Sequence, residues 1–395
     1  MSTIIPIGPY HPLQEEPEFF RLHVEGEKVV KLDIEIGYNH RGIEKLAESK
    51  SWEQVVFLVE RICGICSTSH PAASINAQED LGKIEAPERA QYIRTIVCEL
   101  ERIHSHLLWL GLAGHFIGYN TVWMWSWKYR EAVCDILEKI SGNRQSYSMF
   151  KAGGVRRDIL EEDIPWIREN LEGLKPVIDM FKGAVMDDPV IHARTKGVGV
   201  LTREQARRYC VVGPTARASG IAIDVRKDDP YFAYPWVDFD IVVLEDGDVF
   251  AKAACRILEM YESIKILQQC LERMKPGPVD LNIKELPPGE GIGRAEAPRG
   301  EVFHYAVSDG SNFPVRYKVR APSYVNIYSN EAACVGQTVA DAALVLAAVD
   351  PCYCCTERIA VIDQDGKGSR DLRSGDLMRL SHERTARIRK EMGIS

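Results

Sequence analysis

The 395-residue chain has no internal repeat, no low-complexity tract and no apolar run long enough to cross a membrane. A spanning helix needs roughly 18 or more consecutive apolar residues, and every such window here is broken by polar or charged side chains. A secretory start is missing too: Met1-Ser-Thr-Ile-Ile-Pro6 has neither basic residues nor a sustained apolar stretch. Positive charge is in deficit. With 49 Lys and Arg against 57 Asp and Glu the net charge is −8, which argues against nucleic acid as a partner. Cysteine is plentiful, but the count of 11 is odd, and without a signal peptide a disulfide scaffold is not expected. These absences point to a reducing, cytoplasmic setting. A hydrophobic content of 45% with 27% charged residues gives the chain a sizeable core.

What is present is a pair of cysteine pairs. Glu60-Arg-Ile-Cys-Gly-Ile-Cys-Ser-Thr-Ser-His70 places Cys63 and Cys66 one turn apart, and Asp350-Pro-Cys-Tyr-Cys-Cys-Thr-Glu-Arg358 does the same for Cys352 and Cys355. Two thiolates at this spacing reach one soft metal ion, so the two pairs supply four sulfur ligands. A zinc ribbon closes its second pair after roughly 15–20 residues, whereas most of this chain lies between the two pairs. That separation favours a buried redox or catalytic metal at the centre of a large domain. Structural zinc and a thioredoxin-like dithiol remain the alternatives, the latter weakened because Cys63 follows no βαβ pattern.

Periodicity supplies the frame. Phe20–Val24 and Val29–Ile36 alternate apolar and polar residues around Glu25-Gly26-Glu27, which predicts an N-terminal β region over residues 1–50. A glutamate at such a turn is most often solvated. Gly37–Lys45 is a polar loop leading into a helix, with His40, Arg41 and Glu44 as a network at its start. Helices are expected at 51–62, 67–82, 86–117, 127–141, 157–183, 203–209, 249–274 and 330–348; the strongest is 86–117, where Ile93, Ile96, Val97, Leu100, Ile103, Leu107 and Leu110 recur at helical spacing. His104 and His106, two apart, cannot form a helical metal pair and are read as packing or hydrogen-bonding residues. Trp123, Trp125 and Trp127 suggest core or interface. An irregular linker is expected over 210–235, a short strand at Asp238–Leu244, a loop over 277–291, a hairpin at 301–307 and 315–320, and a small hairpin at 361–367. The fold class is α+β and predominantly helical, with a central bundle of long helices and small peripheral β-sheets. One domain spans residues 1–395, its helical core over 51–358 and a C-terminal extension over 359–395.

These residues resemble a known family. Arg61-Ile-Cys-Gly-Ile-Cys66 with His70, together with Asp350-Pro-Cys-x-x-Cys-x-x-Arg358, is similar to the two metal-binding signatures of nickel–iron hydrogenase large subunits. Gly8-Pro-Tyr-His-Pro12, Gly37-Tyr-Asn-His-Arg-Gly-Ile-Glu-Lys-Leu46 and Glu101-Arg-Ile-His-Ser-His-Leu-Leu-Trp-Leu-Gly111 resemble the energy-converting, membrane-associated branch, which is homologous to the quinone-site subunit of respiratory complex I. The resemblance implies a Ni–Fe(CO)(CN)2 centre, with Cys63 and Cys352 as terminal nickel ligands and Cys66 and Cys355 bridging to iron. It gives Glu25, in Val-Glu-Gly, the role of passing protons from a terminal cysteine. Arg299, in Ala-Pro-Arg-Gly, would lie over the open metal face and contact a cyanide, and Ser323, in Ala-Pro-Ser, the other cyanide. His70 would hydrogen-bond a bridging cysteine. Cys354 and the cysteines at 98, 134, 210, 255, 270 and 334 are read as packed thiols, the last six mainly on helices.

Three departures stand out. Relatives have a histidine at the position of Arg358, where it helps a glutamate matching Glu44 bind an additional magnesium or iron; an arginine cannot ligate a cation. An aspartate near the active-site arginine has no evident counterpart, and Ile103-His104-Ser105 takes its place. Residues 359–395 correspond to a tail removed from relatives after nickel insertion. The implied function is the catalytic subunit of a multisubunit energy-converting hydrogenase, reducing protons with ferredoxin electrons and coupled to ion translocation. Its implied partners are an iron–sulfur small subunit, ferredoxin or ferredoxin-like subunits and membrane ion-translocating subunits, which hold it at the cytoplasmic face of the membrane. Gly8–Leu13 and the His40–Glu44 loop are the candidate contacts. The alternative class is a non-catalytic complex I-like coupling or quinone-site subunit. Intact-mass measurement on nickel-loaded complex is expected to find the chain ending at Arg358; active protein retaining residues 359–395 would remove that expectation.

Overall fold

The computed structural model describes residues 3–12, 14–356 and 374–393; Arg358 and the hairpin expected at 361–367 lie outside them. The chain opens with an antiparallel sheet of β1 (Thr3–Ile7), β2 (Phe19–Glu25) and β3 (Lys28–Glu35), in that spatial order. The alternation in β2 is real: Phe20, Leu22 and Val24 are buried between more exposed neighbours. Gly26, at positive φ, makes the turn to β3.

The longer helices follow as α1 (Trp52–Glu60), α2 (Ser69–Gly82), α3 (Glu88–Phe116), α4 (Asn120–Ser141), α5 (Ile164–Met186) and α6 (Val249–Arg273). Helix α1 starts where Ser51-x-x-Gln54 forms a capping box, the Ser51 hydroxyl accepting from Gln54 N and the Gln54 side chain from Ser51 N. Helix α3 is the axis of the molecule, packed against α4 and α6, with α5 completing the bundle. Its apolar stripe, from Ile93 to Leu110, is fully buried as the periodicity requires. The opposite face is also buried, although it carries Arg94, Glu99, Glu101, Arg102, His104 and His106. Each finds a partner: Arg94 pairs with Glu79, Arg102 and Arg226 with Glu99, and His106 with Glu259. Burying charge without such partners would cost several kcal/mol per ion. That explains why the segment expected as a linker over 210–235 is instead inside the protein. It carries Arg217 and Arg226, both buried, on the short helices Gly213–Arg217 and Val225–Asp228, and these answer Glu259, Glu296, Asp224 and Glu99.

A second antiparallel sheet, β4 (Pro288–Ala297), β5 (Gly300–Asp309) and β6 (Arg316–Arg320), lies against α2. Its first strand replaces part of the loop expected over 277–291, and Asp238–Leu244 forms no strand. The helix expected at 330–348 is broken. Asn330–Ala333 ends, Gly336 turns at φ 84°, and α7 (Val339–Ala348) restarts under a Thr338 cap. The break lets Val29 and Val339 bond across to the 336–339 loop and to Glu27, so sheet pairing competes with helix continuation and wins. Helix α4 begins earlier than expected and takes in all three tryptophans, of which Trp127 is exposed. The other cysteines are buried except Cys210, which is exposed, and Cys354, which is half-buried.

At Gly291 and Gly293 strand β4 meets the backbone of α2 with no side chain between them. A Cβ on Gly293 would lie 2.0 Å from Ala73 O and 2.3 Å from Ala77 N, both backbone atoms. Gly293→Ala is therefore expected to cost at least about 1–3 kcal/mol, the usual penalty of forcing atoms into a filled interior, measured by chemical denaturation of the full chain. An unchanged midpoint would contradict this packing.

Candidate metal centre

The four sulfurs of Cys63, Cys66, Cys352 and Cys355 lie within 4.8 Å of one another, all buried and none in a disulfide. The first pair occupies the turn between α1 and α2. Arg41 holds the approach to it, donating to Arg61 O at 3.0 Å and Ile62 O at 2.8 Å. Beyond it, the Glu101 carboxylate on α3 accepts from Ser69 N and the Ser69 hydroxyl, at 3.2 and 2.5 Å, and from Thr68 N. Burial pushes this carboxyl up to about 7 against those bonds.

The second pair sits on a tight turn after α7, where Asp350 adopts φ 56° and Cys355 N donates to Cys352 O at 3.1 Å. Arg299, in the β4–β5 turn, grips Asp350 twice, through Nη2 to Oδ1 at 2.6 Å and Nε to the carbonyl at 2.8 Å, and donates to Ser105 Oγ at 3.1 Å. Ser105 thus stands where the residues expected it, while the carboxylate partner of Arg299 is Asp350, within the cysteine motif itself. Ser323 Oγ accepts from Cys352 N at 3.0 Å and keeps its own O–H to donate. Hydrogen bonds from Cys352, Cys355 and Cys66 hold the Cys63 thiol well below its ordinary range, while the same cluster pushes Cys352 well above it. One sulfur takes the negative charge and the others keep protons, a set ready to lose those protons to a soft cation.

His70 Nε2 lies 3.5 Å from Cys355 Sγ, and burial pushes the ring down to about 4, so it is neutral. Two expected residues are elsewhere. Glu25 is on the exposed β2–β3 turn, in register with Lys28, and its sheet packs in a hydrophobic cluster that excludes the four cysteines. Glu44 pairs with Lys318 at 2.6 Å and accepts from Val319 N at 3.0 Å. Among the described residues the four cysteines are the one group of three or more His, Cys, Asp or Glu side chains placed to hold a metal, and Glu44 is not among them. The carboxylates at the centre come instead from the irregular segment before β2. Glu16 accepts from Cys354 N at 2.5 Å, and Glu18 from the Thr356 hydroxyl at 3.0 Å. Burial raises Glu16, with Cys63 nearby adding to the effect. Glu15 and Glu16 also line a cavity of about 550 Å³ with Tyr10, His11 and Gln14. No local pattern marks these glutamates; their adjacency to Gly8–Pro12 was the one available signal.

A buried four-sulfur site between a helical bundle and a small sheet is a candidate site for a soft metal. Residues 117–358 match the respiratory-chain NADH dehydrogenase 49 Kd subunit family, and residues 41–112 match nickel-dependent hydrogenase. The membrane-bound hydrogenase subunit alpha of Pyrococcus furiosus is 42% identical, over 97% of this chain and 93% of its own. The carbon monoxide-induced hydrogenase of Rhodospirillum rubrum is 38% identical, over 91% and 100%. Among solved structures, a chain of the archaeal membrane-bound sulfane sulfur reductase matches with a TM-score of 0.86 at 34% identity, covering 90% of this chain and 98% of that one. The chain belongs to the family that joins nickel–iron hydrogenase large subunits to the complex I 49-kDa subunit. It is a subunit type of hydrogenase and complex I-like membrane complexes, and no helix among its described residues is long and apolar enough to cross a membrane.

Glu18 gives the centre a pH signature. Burial raises its carboxyl from 4.5 to about 8. The folded chain therefore keeps a proton that the unfolded chain releases, and its contribution to stability falls as pH rises from about 4.5 to about 8. Glu18→Gln is expected to flatten the fall in thermal midpoint across that range; identical slopes in both proteins would contradict it.

Proposed function

We propose that this chain is the catalytic subunit of an energy-converting nickel–iron hydrogenase. The observation that carries the reading is the convergence of two distant Cys-x-x-Cys pairs into one buried cluster. The donor set fits the group. Four soft thiolates suit nickel and low-spin iron, and the buried guanidinium of Arg299 and the hydroxyl of Ser323 offer hydrogen bonds to anionic diatomic ligands. When bound, the Ni–Fe(CO)(CN)2 centre supplies the heterolytic chemistry of dihydrogen. In this reading Cys63 and Cys352 would hold nickel as terminal ligands, Cys66 and Cys355 would be shared with iron, and His70 would support the sulfur of Cys355.

The proton role passes from Glu25 to Glu16. Its carboxylate is fixed on Cys354 N, between the two sulfurs of the second pair, and it opens onto the cavity beside Tyr10 and His11. A base with a raised pKa, tethered at one end to the metal loop and open to solvent at the other, can take a proton at Oε and release it outward. Among the described residues the other cysteines form no second metal-holding group, so this reading calls for an iron–sulfur small subunit to carry electrons, with ferredoxin as donor. The name of one relative, membrane-bound hydrogenase subunit alpha, supports membrane partners, which this reading takes to be ion-translocating subunits met on the cytoplasmic side. Gly8–Pro12, which rims the cavity, and the His40–Glu44 loop remain the proposed contact surfaces; Leu13 lies outside the described residues.

Infrared spectroscopy with metal quantification on the purified complex tests the reading. Carbon monoxide and cyanide bands with about one nickel per chain are expected, since zinc carries neither ligand. Their absence from matured complex would turn the assignment to a non-catalytic complex I-like subunit. In nickel-loaded complex, Glu16→Gln is expected to lower dihydrogen evolution about 10²–10⁴-fold, the usual worth of a positioned acid–base group, with metal content unchanged. Glu25→Gln is expected to evolve dihydrogen like the wild type, and the reverse ranking would return the role to Glu25.

A further inference from the structure

Behind His70 lies a file of buried polar side chains that the proposed function leaves unused. Helix α2 presents His70, Ser74 and Gln78 at four-residue spacing along one face, and β5 and β6 answer with His304 and Tyr317. His70 Nδ1 is 3.1 Å from His304 Nε2, His304 Nδ1 is 2.8 Å from Tyr317 Oη, and Tyr317 Oη is 2.7 Å from Ser74 Oγ. Gln78 Nε2 donates to Ser74 Oγ at 3.3 Å and to Trp52 O at 3.4 Å, which fixes its amide. All five are buried.

Such a chain has only two self-consistent directions. Two N–H groups cannot face each other across the His70–His304 contact, and a neutral imidazole has one N–H. In the first direction His70 Nε2 carries no proton, His70 Nδ1–H donates to His304, His304 Nδ1–H to Tyr317, and Tyr317 to Ser74. In the second, Ser74 donates to Tyr317, Tyr317 to His304 Nδ1, His304 Nε2–H to His70 Nδ1, and His70 Nε2–H to the sulfur. A metal-bound sulfur, with no proton to give, requires the second.

We infer that His304, Tyr317 and Ser74 act as positioning residues that hold this chain in the second direction and so present His70 to the sulfur of Cys355 as an N–H donor. The inference rests on the metal-centre reading above. An N–H bond to a metal thiolate withdraws charge from the sulfur and so from the metal.

The test is infrared spectroscopy of the nickel-loaded complex in wild type, Tyr317→Phe and Ser74→Ala. With the chain cut, His70 loses its imposed tautomer, sulfur donates more charge to iron, and the carbon monoxide and cyanide bands move to lower wavenumber. Tyr317→Phe is expected to show the larger shift and Ser74→Ala a smaller one in the same sense. Bands in both variants that superimpose on the wild type overturn the inference alone, whereas a wild type without bands overturns the metal-centre reading and this one with it. If Tyr317→Phe does not fold, Ser74→Ala, which removes only a hydroxyl, decides. Variants that fold by circular dichroism yet take up no nickel show a scaffold needed for assembly, and they too overturn the positioning role.

Discussion

A buried guanidinium and a buried carboxylate, Arg299 and Asp350, tie the β4–β5 turn to the loop of the second cysteine pair. Arg299 closes the β4–β5 turn, and Asp350 opens the turn carrying Cys352 and Cys355; their ion pair sets the second cysteine pair at a fixed height over the first. Breaking such a pair strands a charge in the interior and costs about 3–5 kcal/mol. The pair is not isolated. Arg256 reaches the other oxygen of Asp350 at 3.8 Å and lies over Trp109 of α3, so the axis of the bundle and the metal loop share one set of charges.

This arrangement explains why the central helix tolerates so many ionisable groups. Its apolar stripe secures the bundle, while its other face is a set of fixed pegs. Glu101 pins the loop after Cys66, Ser105 steadies Arg299, and Glu99 collects Arg102, Arg226, Tyr234 and Ser263. A purely apolar helix would bury the same area without aiming anything. Polar burial is costly on its own, but here Glu101 and Ser105 each fix a group beside the cysteine cluster.

Much of this was legible in the residues. The stripe of α3, the β2–β3 turn and the four cysteines are local patterns, and local patterns carry period and spacing. The failures fall where tertiary packing decides. Segment 210–235, rich in glycine and proline, reads as a linker because its buried arginines find their carboxylates far along the chain. Glu25 was chosen because Val-Glu-Gly fits a short motif, yet its strand carries it to an exposed turn. Glu16 had no motif, and it meets Cys354 across a separation of 338 residues that no window can show. Asp350 was visible inside the second cysteine signature, but only the fold shows that its partner is Arg299.

The placement of the cysteines near opposite ends of the chain also orders events in time. A ribosome adding about 5–20 residues per second reaches Cys352 roughly 15–60 s after Cys66. Through that interval the nascent protein carries only half of its donor set, two thiolates on a turn that Arg41 and Glu101 can already brace. A metal arriving early would be held by two sulfurs and easily lost. Capture by four sulfurs would have to wait for Cys352 and Cys355, by which point most of the fold that encloses the cluster has been synthesised.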